Sequence, residues 1–197
     1  MIKVLGVLGW PVSHSLSPMM HNKAIEILDL NYQYLPFAVP PEKLESAIRG
    51  IRGLGISGVN LTIPHKERVI PFLDSLSPEA EQAGAVNTVC LKGDKLLGHN
   101  TDGQGLIKSL KEEGIGDFKK KSVLLFGAGG ASRGIAAALV SEGVHKIIIS
   151  NRSTSKGEKL ARLVKTFPNK CIVDTLPLPE ISQKEMDSFD LLINTTS

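Results

Sequence analysis

The run Val123-Leu124-Leu125-Phe126-Gly127-Ala128-Gly129-Gly130-Ala131-Ser132-Arg133 constrains the fold more than any other stretch of the chain. Its apolar start reads as a strand buried on both faces, its glycines as a turn, and the stretch from Ala131 to Glu142 as a helix. A second apolar strand, Lys146 to Ser150, follows that helix. Two strands joined through a helix run parallel, so an α/β fold is expected, with a doubly wound sheet in the second half. Helix Lys156 to Phe167 and strands Cys171 to Asp174 and Asp190 to Asn194 continue the alternation.

The first half alternates in the same way. Strands are expected at Val4 to Leu8, Tyr32 to Ala38 and Gly58 to Leu61, with helices at Pro18 to Leu28 and Glu42 to Leu54 between them. Pro41 opens the second helix, where a missing N–H costs nothing, and Leu44, Ala47, Ile48 and Ile51 give it one apolar face. Strands Ala85 to Leu91 and Lys95 to Gly98 flank Gly93-Asp94 as a hairpin. Helix Gly105 to Glu113 comes next, and Gly114, Gly116 and Lys119 to Lys121 then break the pattern. With 197 residues and 42% hydrophobic content, two cores can be buried. The expected domains are residues 1–103, a connecting helix and linker over 104–120, and residues 121–197.

Charge and cysteine usage narrow the function classes. The net charge of +3 is spread along the chain, and the one tight basic run, Lys119 to Lys121, has no interleaved aromatic residues, so it reads as a linker and not a nucleic-acid surface. Cys90 and Cys171 match no metal-ligand spacing and read as small buried residues in a reducing compartment, with no metal site expected. Gly6, Gly9 and Pro11 interrupt the apolar start, which reads as a strand and not a signal peptide. No apolar run nears the roughly 18 residues needed to cross a bilayer. The expectation is a soluble, cytoplasmic protein without nucleic-acid or membrane partners.

The glycine turn is expected to hold a dinucleotide. Gly127 permits the tight turn, Gly129 lets backbone approach a pyrophosphate, and the helix N-terminus offers unpaired N–H groups. Ser132 stands where the fingerprint has its third glycine, a small residue where helix and strand pack closely. Asn151, Arg152, Ser153 and Lys156 follow the second strand, with no acid before Glu158. A guanidinium grips a ribose 2′-phosphate that a carboxylate would repel, so NADP is expected over NAD. The alternative is that Arg152 and Lys156 are only surface residues at a helix start.

Polar residues also gather in the first half where loops should leave strands: Ser13, Ser15 and Ser17, then Thr62 and Lys66, Asn87, and Asn100, Thr101 and Asp102. Ligands of open α/β sheets bind at such ends. Taken singly, each reads as a cap or turn residue, and Ser17 before Pro18 reads as a helix cap.

The motifs Gly9-Trp10-Pro11-Val12-Ser13-His14-Ser15-Leu16-Ser17-Pro18, Asn60-Leu61-Thr62-Ile63-Pro64-His65-Lys66, Gly84-Ala85-Val86-Asn87-Thr88 and Asn100-Thr101-Asp102-Gly103 resemble, in order, those of shikimate dehydrogenases. The glycine turn, Asn151-Arg152-Ser153 and Asn194-Thr195-Thr196-Ser197 extend the resemblance over the whole chain. It implies an N-terminal substrate-binding α/β domain followed by a Rossmann NADP-binding domain. The implied activity is the reversible NADPH-linked reduction of 3-dehydroshikimate to shikimate in chorismate and aromatic amino-acid biosynthesis. Ser15 and Ser17 would then bind the substrate carboxylate, and Thr62, Lys66, Asn87 and Asp102 would line the ring hydroxyls, with Lys66 and Asp102 the catalytic pair. Gly127, Ala128, Gly129, Gly130 and Ala131 would meet the cofactor, as would Asn151, Arg152, Ser153, Lys156 and Thr195.

Two alternatives stand beside that reading, a quinate/shikimate dehydrogenase with relaxed cofactor choice and a non-catalytic metabolite sensor. The partner expected is a small-molecule substrate, acting on a monomer or homodimer. Four strands of a six-strand doubly wound domain are visible before Ser197. At about 30 residues per strand–helix–strand unit, roughly 60 to 80 residues are expected to be missing, leaving weak cofactor binding and little activity in the chain alone.

Overall fold

A computed structural model describes residues 2–178 and 183–196. By its internal contacts the chain divides into two compact units, residues 1–100 and 101–197.

The first unit is built on a mixed sheet in the order β2-β1-β3-β5-β6-β4. Strand β1 (Lys3–Gly9) pairs in parallel with β2 (Tyr32–Ala38) and β3 (Gly58–Leu61). The hairpin β5 (Thr88–Lys92) and β6 (Lys95–His99) adds antiparallel to β3, and β4 (Ser75–Leu76) closes the far edge. One face carries helix α2 (Leu44–Leu54), whose Leu44, Ile48 and Ile51 are buried against Leu8, Val59, Leu61, Val69, Val89 and Leu96. This is the apolar face expected from the sequence, although its first turn, Pro41–Lys43, is a tighter 3-10 helix. Helix α1 (Ser17–Ile27) precedes β2, and Ile25 packs against the smaller cluster of Val7, Val12 and Tyr34.

Three differences from the sequence reading have local causes. Strand β5 starts at Thr88 and not Ala85, because the N–H groups of Ala85 and Val86 bond outside the sheet, to Ala80 O in the short helix before them (3.3 Å) and to Lys66 O in the loop after β3 (2.8 Å). The short helix α3 (Pro78–Ala83) was not expected, although Ser77 caps it by accepting from Ala80 N–H (3.3 Å). Cys90 and Cys171 are free thiols that are only partly buried, and burial raises both pKa values.

The second unit has a parallel sheet in the order β10-β7-β8-β9 among the described residues. Strands β7 (Ser122–Phe126), β8 (Lys146–Asn151) and β9 (Ile172–Pro177) step outward to one side, and β10 (Leu191–Asn194) lies on the other side of β7. That reversal beside the first strand is the switch point of a doubly wound nucleotide fold. Val123, Leu124, Leu125, Ile147 and Ile149 are fully buried, as strands covered on both faces should be.

Helix α4 (Asp102–Glu112) begins three residues before the expected Gly105 and packs on α5 (Gly130–Ser141). Gly103 makes the approach possible, since a Cβ there would lie 2.3 Å from Gly134 O and 2.5 Å from Ala138 Cβ. Two glycines near its start, Gly103 and Gly105, lower intrinsic helicity and mask its first turn in the sequence. Phe118, just before the lysine run, is buried, so the stretch read as linker is anchored there. Helices α6 (Thr154–Lys165) and α7 (Gln183–Met186) complete the unit. No helix among the described residues is long and apolar enough to cross a membrane.

Candidate functional site

In the first unit the sheet directions bring separate loops to one edge. β1 and β3 end there, β5 begins there because it runs antiparallel to β3, and β6 returns there. The loops after β1 and β3 are tied by Thr62 N–H to Leu8 O (2.9 Å) and Trp10 N–H to Ile63 O (2.9 Å). Asn87 is held beside them, its carbonyl accepting from Leu61 N–H (2.8 Å) and its N–H donating to His99 O (3.0 Å). The chain turn that carries Lys66 is fixed by the bond from Val86 N–H.

Ser15, Ser17, Thr62 and Lys66 are partly buried at this edge and Asn87 is buried, whereas Ser13 is exposed. Asn100 is buried and spends its amide on Ala85 O (2.9 Å), a structural tie. Thr101 is exposed, and Asp102 opens α4 as the second residue of the other unit. Ser17 does not cap α1: it is the first helical residue, behind Leu16. Ser15 acts in its place, its Oγ accepting from Ser17 N–H (3.3 Å).

The sequence reading missed four residues at this edge. Tyr34 Oη donates to Asn60 Oδ1 (2.7 Å), and Asn60 Nδ2 donates to Thr88 Oγ1 (3.1 Å). Asn60 and Thr88 stand inside quoted motifs, but Tyr34 sits in an alternating strand and carries no motif signal. His65 is fully buried with Nε2 2.8 Å from Val39 O, so Nε2 carries the proton. Burial first, with Arg68 adding to it, lowers its pKa and keeps it neutral beside Lys66.

In the second unit, the loops after β7, β8 and β10 leave the carboxyl ends of parallel strands. Gly127 takes φ of 110°, and a Cβ there would lie 2.4 Å from Thr195 Oγ1. Gly129 N–H donates to Ser132 Oγ (3.1 Å), and Ser132 and Thr195 hydroxyls lie 2.7 Å apart. Because Thr195 Oγ1 donates to Phe126 O (2.6 Å), Ser132 is the donor to Thr195. The hydroxyl of Thr195 is therefore a tie between the two loops at the switch point. Ser132 is fully buried, as a residue in the third glycine position should be.

Ala128, Gly130 and Ala131 lead from this turn into α5, where the first N–H groups of the helix lack carbonyl partners of their own. Asn151 Nδ2 donates to Ser153 O (2.9 Å), shaping the loop before α6. Arg152 and Lys156 are exposed on that loop and helix start. Glu158 lies 3.8 Å from Arg162 one helical turn on, so the nearest acid has a cation on its own helix. Ser197, the last residue of the terminal motif, lies outside the described residues.

The sequence model described as the shikimate dehydrogenase substrate binding domain matches residues 7–89, and that described as shikimate/quinate 5-dehydrogenase matches residues 109–197. The chain is 48% identical over 197 residues to the shikimate dehydrogenase (NADP(+)) of Geobacter metallireducens, covering 99% of this chain and 68% of the relative. Its structure resembles the crystal structure of shikimate dehydrogenase from Aquifex aeolicus, at TM-score 0.87 and 42% identity over 100% of this chain and 69% of that one. The Thermus thermophilus enzyme in complex with NADP(H) and shikimate matches at TM-score 0.84 and 37% identity, over 99% and 69% of the two chains. With both halves matched by the family's models and close relatives aligned along its whole length, the chain belongs to the shikimate dehydrogenase family.

Proposed function

We propose that the protein catalyses the reversible NADPH-linked reduction of 3-dehydroshikimate to shikimate in aromatic amino-acid biosynthesis. The observation that carries this reading is the gathering of Ser15, Ser17, Thr62, Lys66 and Asn87 at one edge of the first sheet. A small polyhydroxylated acid needs such a set of short donors and acceptors, since each buried hydroxyl left unpaired costs about 1–3 kcal/mol. Ser15 and Ser17 bind the carboxylate, and Thr62, Asn87, Lys66 and Asp102 bind the ring oxygens. Residues 1–103 serve the substrate, 104–120 connect, and 121–197 serve the nucleotide, in a cytoplasmic monomer or homodimer.

NADP fits the second unit. Gly127 through Ala131 give a turn without side-chain obstruction and the N-terminus of a 12-residue helix for the pyrophosphate. Asn151, Arg152, Ser153 and Lys156 present cationic and neutral groups where a 2′-phosphate would sit, and Thr195 holds the loop opposite. Bound NADPH supplies the hydride. Lys66 donates the proton at the substrate's carbonyl oxygen, where negative charge grows, and Asp102 holds the ammonium in place.

The test is NADPH oxidation by the protein with 3-dehydroshikimate, run beside 3-dehydroquinate. Turnover with the first and not the second is expected. Comparable rates with both would make it a quinate/shikimate enzyme, and binding without turnover would make it a sensor. Lys66→Met should lower turnover by about 10²–10⁴-fold with a far smaller loss of affinity.

A further inference from the structure

Tyr34 lies in β2, yet its hydroxyl reaches across β1 to Asn60 in β3. Helix α1 holds it there. His21 stacks on its ring at 4.3 Å and 11°, and Asn22 clamps its backbone, donating to Tyr34 O and accepting from Tyr34 N–H at 2.9 Å each. A residue needed only for packing would not require its hydroxyl to be aimed.

The direction of every bond in the chain of contacts can be worked out. Asn60 Nδ2 lies 3.3 Å from Asn87 O, a carbonyl that can only accept, so the amide nitrogen faces Asn87 and Oδ1 faces Tyr34. Tyr34 is therefore the donor to Asn60. On the other side Asn60 Nδ2 donates to Thr88 Oγ1, and Thr88 donates to Asn87 Oδ1 (2.9 Å). All the donors point one way, from Tyr34 to Asn87.

We propose that Tyr34 is a positioning residue of the substrate site, its hydroxyl anchoring Asn60 and, through Asn60 and Thr88, the Asn87 amide that meets the ring hydroxyls. The proposal rests on the reading of Ser17 and Asn87 as substrate contacts. Burial raises the Tyr34 pKa to about 12, against a lowering by Ser17, so the phenol keeps the hydrogen this order requires. Without that hydrogen, Asn60 Oδ1 loses its donor and the side chain is held only from its Nδ2 end, so its position, and with it that of Thr88 and the Asn87 amide, is less fixed. The carboxylate end depends less on Tyr34, because Ser15 is positioned by its own bond to Ser17 N–H.

Tyr34→Phe keeps the stacked ring and deletes only the hydroxyl. The test titrates the ¹⁵N-labelled chain with shikimate and with cyclohex-1-enecarboxylate, which has the acid but no ring hydroxyls. In the folded variant, shikimate affinity should fall by about three- to tenfold, the range for one lost neutral hydrogen bond, while that of the plain acid changes far less. The side-chain amide signals of Asn60 and Asn87 should shift. Unchanged shikimate affinity, or equal loss for both acids, would overturn the proposal. If Tyr34→Phe does not fold, Thr88→Val decides: the same selective loss supports the relay, and none sinks it. No response of the wild-type chain to shikimate would instead overturn the site reading on which the proposal stands.

Discussion

Gly103→Ala and Gly105→Ala place the same methyl group two residues apart on α4, and the structure gives them opposite signs. Alanine in place of glycine favours a helix by about 1 kcal/mol at either position. At Gly105 nothing lies within 4 Å of the new Cβ, so that gain stands. At Gly103 the Cβ meets Gly134 O at 2.3 Å and Ala138 Cβ at 2.5 Å. The first of these is a backbone oxygen inside α5, which cannot rotate aside, so the helices must separate by about an ångström to restore normal contact. Overpacking of that kind costs about 1–3 kcal/mol, and the rigid neighbour puts this case at the top of the range. After the helical gain, a net loss of about 2 kcal/mol remains. Urea unfolding followed by circular dichroism should show a midpoint lower by about 1 M for Gly103→Ala and slightly higher for Gly105→Ala. Shifts in the same direction would refute the close packing of α4 on α5.

Arg152→Ala should weaken NADPH by about 10–100-fold, the worth of hydrogen bonds to a charged group, while leaving NADH binding nearly unchanged; equal losses in calorimetry would make Arg152 structural. Gly127→Ala forces alanine to φ of 110° and into Thr195 Oγ1, so NADPH affinity should drop while shikimate titration of the first unit is unaffected. His65 has a lowered folded-state pKa, so below about pH 6.5 the unfolded chain takes up a proton that the folded chain resists. Stability should therefore be complete above that pH and fall as pH drops toward the folded pKa, a dependence that His65→Asn should remove in urea unfolding at several pH values.

The sequence discloses what repeats or alternates. Strands such as Val123 to Phe126 are legible because burial on both faces demands an unbroken apolar run, and α2 because one face alone is buried. Short elements are not legible in this way. Helix α3 has six residues, too few to show a period, and only the sequence Ser77-Pro78-Glu79 marks its start. Of the residues at the site end of the first sheet, Asn60, His65 and Thr88 lie inside the quoted motifs without any sign of the bonds they make, and Ser17 reads as a cap until the structure places Leu16 before the helix and Ser15 at its N–H. Tyr34 was out of reach because it meets Asn60 from 26 residues away, a pairing set by strand order and not by spacing.

The serine in the third glycine position has a consequence for variation at the switch point. Ser132 receives a hydrogen bond from Gly129 N–H and passes one to Thr195, which passes its own to Phe126 O. Positions 132 and 195 are therefore chemically linked although 63 residues separate them. Restoring the glycine at 132 alone would leave Gly129 N–H without that acceptor and Thr195 Oγ1 without that donor. Relatives with glycine at the first position should then differ at the second as well, and the two changes should be tolerated together better than either alone.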